Sequence, residues 1–252
     1  MLTPAIGLVL AIPMVASTPP HRIVLPSPRT VTVRLIYEKG AGSGVIVARR
    51  GQRYLVLTNY HVVNDAYDKS KPYIVHTFDG RQHRGHYLAR VGGLDAAFVV
   101  FSARESYPVA RLGRADRLAP NSNLTAVGFP NWVMLSPNLV ENTMPKGFQA
   151  YTETQGSFRQ LIPAQHGLRE GYRLGYSNDV QIGMSGGAIF SSDNLLVGIN
   201  GRLKQPFQEQ TAYQLESGAY PTAKDYEAMR SLSWGIPIEA LLSDIQRHKE
   251  GL

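Results

Sequence analysis

The chain has 252 residues, a formal net charge of +7 and no cysteine. The length allows one large domain or two small ones, and a hydrophobic content of 43% excludes wholesale disorder. Without cysteine there are no disulfides, no thiolate metal sites and no cysteine nucleophile. The lysines and arginines are scattered, with no run of five like charges, so a solvated basic surface is expected and not a nucleic-acid site.

The N-terminal stretch Leu2 to Ser17 holds an apolar core from Ala5 to Ala16 followed by the small residues Val15-Ala16-Ser17. That is the length of a secretory signal segment, although a positive n-region is missing, and it is too short for a comfortable membrane span. Export to a periplasm, lumen or the exterior is the expectation for residues 1–17; without a working signal the protein would stay cytoplasmic. No later run is apolar enough to span a membrane. Residues 18–28 are proline-rich and read as a linker.

Short apolar runs follow: Val31–Tyr37, Val45–Ala48, Tyr54–Thr58, Tyr73–Phe78 and Ala96–Phe101, then Leu124–Gly128, Phe148–Thr152 and Leu195–Asn200. Many are rich in β-branched or aromatic residues, and Gly, Pro, Asn or Asp fills most of the gaps. With 24 glycines and 16 prolines, this pattern predicts an all-β sandwich or barrel. The strands divide near Gly113–Asn121, which suggests two sub-domains, about 29–115 and 120–250. Only the end looks helical, where Ile238, Leu241, Leu242 and Ile245 fall at helical spacing behind Pro237.

Three local motifs carry chemistry. A strand ends at Leu57-Thr58-Asn59-Tyr60-His61; an aspartate opens an apolar strand at Gly93-Leu94-Asp95-Ala96; a serine sits among glycines at Gly183-Met184-Ser185-Gly186-Gly187. A serine hydroxyl needs a base to become a nucleophile, an imidazole suits that task, and a buried carboxylate fixes its tautomer. Backbone N–H groups of Gly183 and Ser185 would receive the oxyanion of a tetrahedral intermediate. Each motif alone has a plainer structural reading: a core histidine, a turn aspartate, a glycine-flanked turn serine. Their order His, Asp, Ser in one β-rich chain favours the chemical reading.

The three blocks resemble the catalytic blocks of trypsin-like serine proteases, most closely the bacterial Deg (high-temperature-requirement) branch and its cyanobacterial relatives. Gly42-Ser43-Gly44-Val45-Ile46-Val47 resembles the strand before the histidine block. Leu196-Val197-Gly198-Ile199-Asn200-Gly201 is similar to the strand lining the substrate cleft, and Trp234-Gly235-Ile236-Pro237-Ile238 to the last strand. The resemblance implies an all-β fold of two antiparallel six-stranded barrels with a short C-terminal helix. It implies a serine endopeptidase with His61, Asp95 and Ser185 as triad, polypeptide substrates, no cofactor and no metal. Ile199, Asn200 and Gly201 would bind extended substrate.

Asp179, six residues before the serine, occupies a position that in trypsin-like enzymes forms the base of a pocket for Arg or Lys; in Deg-type relatives an acid nearby lies outside the pocket. Both registers stay open. Trypsin is switched on when a new N-terminus pairs with an aspartate just before the serine; here Met184 stands there, so that switch cannot operate. Arg202–Leu232 is longer than expected and reads as a loop beside the substrate site. The 67 residues after Ser185 leave no room for a C-terminal peptide-binding domain.

Other readings fall away. A G-x-S-x-G elbow needs a helix after the serine and a later triad histidine, yet Ala188-Ile189-Phe190 reads as a strand and only His248 follows. Gly40–Gly44 runs into a strand, unlike a phosphate loop. His76, His83 and His86 lack the partners of a metal site. The remaining alternative is a catalytically silent or occluded barrel module acting as a protein-binding scaffold.

Overall fold

A computed structural model of the chain describes residues 25–38, 40–64, 71–205 and 212–252. Residues 1–17, most of the 18–28 linker and part of Arg202–Leu232 lie outside the described residues. A four-residue turn of helix, α1 (Pro28–Val31), leads into β1 (Thr32–Tyr37), β2 (Gly40–Arg50) and β3 (Arg53–Thr58). The short helix α2 (Tyr60–Asn64) follows, then β4 (Tyr73–His76), β5 (Gln82–Arg90) and β6 (Ala97–Ser102). These six strands close a barrel in the order β1-β2-β3-β6-β5-β4.

Strands β7 (Asn123–Gly128), β8 (Trp132–Ser136), β9 (Leu139–Asn142), β10 (Thr152–Leu161) and β11 (Leu174–Tyr176) come next. They are followed by β12 (Ala188–Ser191), β13 (Leu196–Arg202) and β14 (Ser233–Pro237). A second barrel closes in the order β10-β11-β14-β13-β12-β7, and β8 and β9 form a separate hairpin. Every strand pair in both barrels is antiparallel. The last described helices are α3 (Ala223–Arg230) and α4 (Leu242–Glu250).

Each barrel has its own apolar filling. Val33, Leu35, Val56, Val75, Val99 and Phe101 line the first; Leu124, Ala126, Leu174, Tyr176 and Ile189 line the second. A third cluster joins them, in which Leu55, Leu57 and Phe98 meet Ile199, Trp234, Ile236 and Ile245. Strand β2 is buried almost throughout, from Ala41 to Ala48. Its one face points into the first barrel and the other is covered by neighbours, so hydrophobic residues need not alternate along it.

Several expectations are corrected. Phe148–Thr152 is not a strand: Met144–Ala150 turns as a 3₁₀ segment, broken at Gly147 (φ 54°), and β10 begins at Thr152. Helix is not confined to the end, because Thr222 caps α3 by accepting a hydrogen bond from Asp225 N. Strands β5 and β10 were not foreseen, since each presents a largely polar outer surface to solvent and has no apolar run to mark it. The β8–β9 hairpin projects outward, with Trp132, Met134, Leu135, Leu139 and Val140 exposed.

Candidate active site

Strand β3 ends at Thr58, and the chain turns into α2 with His61 in its first turn. Asp95 lies just before β6, after a tight turn in which Leu94 N donates to Val91 O. Strands β3 and β6 pair with Thr58 opposite Ala97, so the antiparallel register brings both ends together. His61 Nδ1 lies 2.6 Å from Asp95 Oδ2, and His61 N donates to Asp95 Oδ1 at 2.7 Å. The imidazole is about half exposed while the carboxylate is buried, with side-chain exposures of 49% and 5%.

Asp95 has further supports. Asn59 Nδ2 donates to its carbonyl at 2.8 Å, and its own N donates to Glu170 O at 2.9 Å. The Tyr172 hydroxyl donates to Asp95 Oδ2, a contact between fully sheltered groups. Burial pushes the Asp95 carboxyl upward, but the hydrogen bonds and charge of His61, with the Tyr172 hydroxyl, outweigh it and hold the group below its ordinary value. Burial and the neighbouring Asp95 charge push Tyr172 well above the ordinary phenol value. It thus stays protonated and remains a donor.

Tyr172 had no mark in the sequence. It stands in Gly171-Tyr172-Arg173, outside every motif, and reaches Asp95 from the second barrel across 77 positions. Its space exists because residue 201 is glycine: a Cβ there would lie 2.1 Å from Tyr172 Cε1.

Ser185 approaches from the second barrel on the loop before β12. Two glycines make the loop possible: Gly183 has φ 98° and Gly186 has φ 79°. Added Cβ atoms would meet Phe129 O at 2.5 Å and Ser43 O at 2.3 Å, respectively. Ser185 Oγ lies 3.4 Å from Gly201 O. The carbonyls of this loop are turned outward: Ile182 O accepts from Asn131 N at 2.8 Å, and Gly183 O accepts from Ser43 Oγ at 2.8 Å. In a trans peptide the N–H points opposite the C=O, so Gly183 N–H faces away from Asn131. Among the described residues, neither Gly183 N nor Ser185 N donates to a backbone carbonyl.

The expected substrate-binding set is only partly placed at the cleft. Ile199 pairs with Ala188 on one side and Ile236 on the other. Asn200 N donates to Gly187 O, its carbonyl accepts from Gly186 N, and its amide bonds Val127 O and the Tyr176 hydroxyl. Both residues are fully buried with their backbone groups committed, so they offer no free edge. The edge begins at Gly201 and Arg202, beyond the last β12 pairing, where both residues are half-buried. Asp179 is exposed, and its neighbour Asn178 is the buried one, bonding Leu124 O and Thr154 O. From the surface, Asp179 does not supply the carboxylate floor of an enclosed pocket.

The long Arg202–Leu232 stretch, where described, packs on the loop that carries Tyr172. Arg169 N donates to Gln214 O at 2.8 Å, and Glu216 Oε1 accepts from Gly171 N at 3.1 Å. The Arg202 guanidinium stacks on the Tyr172 ring, 4.4 Å from its centroid. As for the other histidines, His83 Nε2 meets the Tyr107 hydroxyl at 2.8 Å, and His76 is buried beside Gly147.

A histidine on a buried carboxylate and a serine on a glycine loop, carried by two closed barrels, invite comparison with known proteins. Residues 42–199 match the family model of the trypsin-like peptidase domain. The chain belongs to the trypsin-like peptidase family. Over 162 residues it is 29% identical to serine protease HTRA1 of Xenopus laevis and 28% identical to that of Xenopus tropicalis. Each match covers 64% of this chain and 31% of the relative, so the chain spans about a third of the length of these curated relatives. An HtrA-type protease, AlgW, solved with a tripeptide, superposes with a TM-score of 0.63 at 23% identity, covering 90% of this chain and 64% of that one. A second AlgW–tripeptide structure gives 0.62 at 21%, covering 89% and 61%. The curated relatives and the structural neighbours named here are proteases of the high-temperature-requirement type.

Proposed function

We propose that this trypsin-like chain is a serine endopeptidase that cleaves peptide bonds through an acyl-enzyme intermediate. The observation that carries the reading is the pair of hydrogen bonds between Asp95 and His61, one oxygen on the backbone N and the other on Nδ1. That arrangement fixes which ring nitrogen bears the proton and leaves the other to act as base. His61 takes the proton of Ser185 as Oγ attacks the peptide carbonyl, then gives it to the leaving amine. Water attacks the resulting ester with His61 again as base, releasing the acid and restoring the serine. The N–H groups of Gly183 and Ser185 receive the oxyanion in both halves.

Extended polypeptide would add as a strand along Gly201 and Arg202.

Labelling with a fluorophosphonate tests the reading. Wild type is expected to gain one adduct on Ser185, while Ser185→Ala and His61→Ala take none. A folded wild type that stays unlabelled would favour the silent scaffold instead.

A further inference from the structure

A buried guanidinium takes no part in the triad. Arg34, on β1, is completely buried, and burial lowers its pKa to about 10. It is therefore still a cation at neutral pH. Among the described residues no carboxylate pairs with it. Its Nη1 donates to Thr143 O at 2.8 Å and to Gly147 O at 3.0 Å, and Nη2 donates to Thr143 Oγ1 at 3.0 Å. Its Nε finds no acceptor. Its partners are neutral carbonyl and hydroxyl oxygens and the Phe129 ring, 5.7 Å from the guanidinium carbon. What a guanidinium supplies that an apolar side chain cannot is a rigid fork that fixes several acceptors at once.

The acceptors it fixes lead to the serine loop. Thr143 Oγ1 donates to Pro130 O, and Thr143 N donates to Asn131 O at 3.0 Å. Asn131 N then holds Ile182 O at 2.8 Å, the carbonyl whose orientation sets the Gly183 N–H. A second anchor comes from β2. Ser43 is completely buried; its N donates to Ser185 O at 2.9 Å and its Oγ to Gly183 O at 2.8 Å. The same Oγ accepts from Phe129 N at 2.9 Å, which directs the hydroxyl proton toward Gly183 O. Three carbonyls of the 182–185 loop are thus held outward, two by Ser43 directly and one by Arg34 through Thr143 and Asn131. Met184 lies buried in apolar surroundings and adds no charged tether.

We infer that Arg34 is a positioning residue that keeps the Gly183 N–H aimed into the cleft, acting through Thr143 and the Pro130–Asn131 peptide on Ile182 O. The inference rests on the endopeptidase reading and names what holds that site open. Loss of the Arg34 anchor frees Ile182 O to turn inward, which withdraws the Gly183 N–H from the oxyanion. It leaves the His61–Asp95 pair untouched.

The test is the rate of fluorophosphonate labelling of the full chain against pH, normalised to the folded fraction by circular dichroism. Arg34→Gln is expected to lower the plateau rate at least about 10-fold, approaching the roughly 100-fold loss of a missing oxyanion donor. The midpoint of the acid limb, set by His61 and Asp95, should not move. Arg34→Lys, which keeps the charge but not the fork, should fall between. Should Arg34→Gln not fold, Thr143→Val removes one link of the same chain and carries the same expectation. Folded variants with a wild-type plateau, or with a shifted midpoint, overturn the inference alone. A wild type that takes no label overturns the endopeptidase reading and the inference together.

Discussion

The two barrels contribute to the cleft by different means. The first supplies side chains, His61 and Asp95, held by a network of side-chain hydrogen bonds around one buried carboxylate. The second supplies backbone, a loop whose useful groups are N–H donors and whose shape depends on two glycines at positive φ. Chemistry that depends on a charge is tuned by what surrounds it; chemistry that depends on backbone direction is tuned by what the loop can bend around. The two halves should consequently fail differently when altered.

The largest effect is expected from the one residue that bridges both halves. Ser185→Ala should lower kcat for peptide hydrolysis by about 10⁴ to 10⁶ with no change in the circular-dichroism spectrum. On the side-chain half, Asp95→Asn should cost about 10⁴ in kcat while KM stays near wild type, because the imidazole loses its tautomer and not its place.

On the backbone half, Gly183→Ala should cost about 10² to 10³ in kcat. Its Cβ would sit 2.5 Å from Phe129 O, and φ 98° is strained for alanine. If the pH midpoint of Gly183→Ala shifted as well, the proposed independence of the two halves would be wrong.

Tyr172→Phe should cost about 10-fold in kcat/KM and change the pH profile. The Tyr172 hydroxyl helps hold Asp95 ionised, so its loss raises the Asp95 pKa, and activity should be lost at a higher pH on acidification than in wild type. An unchanged acid limb would mean the hydroxyl is only a packing group.

The smallest effect concerns stability away from the site. Burial lowers the pKa of His76, helped by the Arg34 charge, and burial also lowers that of His83 against the opposing pull of Glu105 and Asp79. A depressed histidine is held neutral in the fold but protonates readily once unfolded. The melting temperature should therefore be constant above about pH 6.5 and decline as pH falls below it. Replacing both residues with glutamine should flatten that decline.

Much of the architecture was written along the chain. Strands such as Tyr54–Thr58 and Leu124–Gly128 announce themselves because they are apolar on both flanks of a turn, and the last helix by its period. Among the strands that escaped notice, β5 and β10 have largely polar outward residues and inward ones that are small or aromatic at irregular steps. His61, Asp95 and Ser185 were visible because each sits beside a strand end or a glycine cluster with local meaning.

Sequence by itself thus determined the strand-rich class, the order of the three reactive residues and the glycines their loop requires. Only the tertiary structure decided that Asp179 faces solvent, that Ile199 and Asn200 are paired on both edges, and that Tyr172, Arg34 and Ser43 reach the site. The physical reason is that local pattern reports the backbone near a residue. A hydrogen bond closed over 77 or 109 positions depends on how two barrels dock, and no short stretch of either one records it.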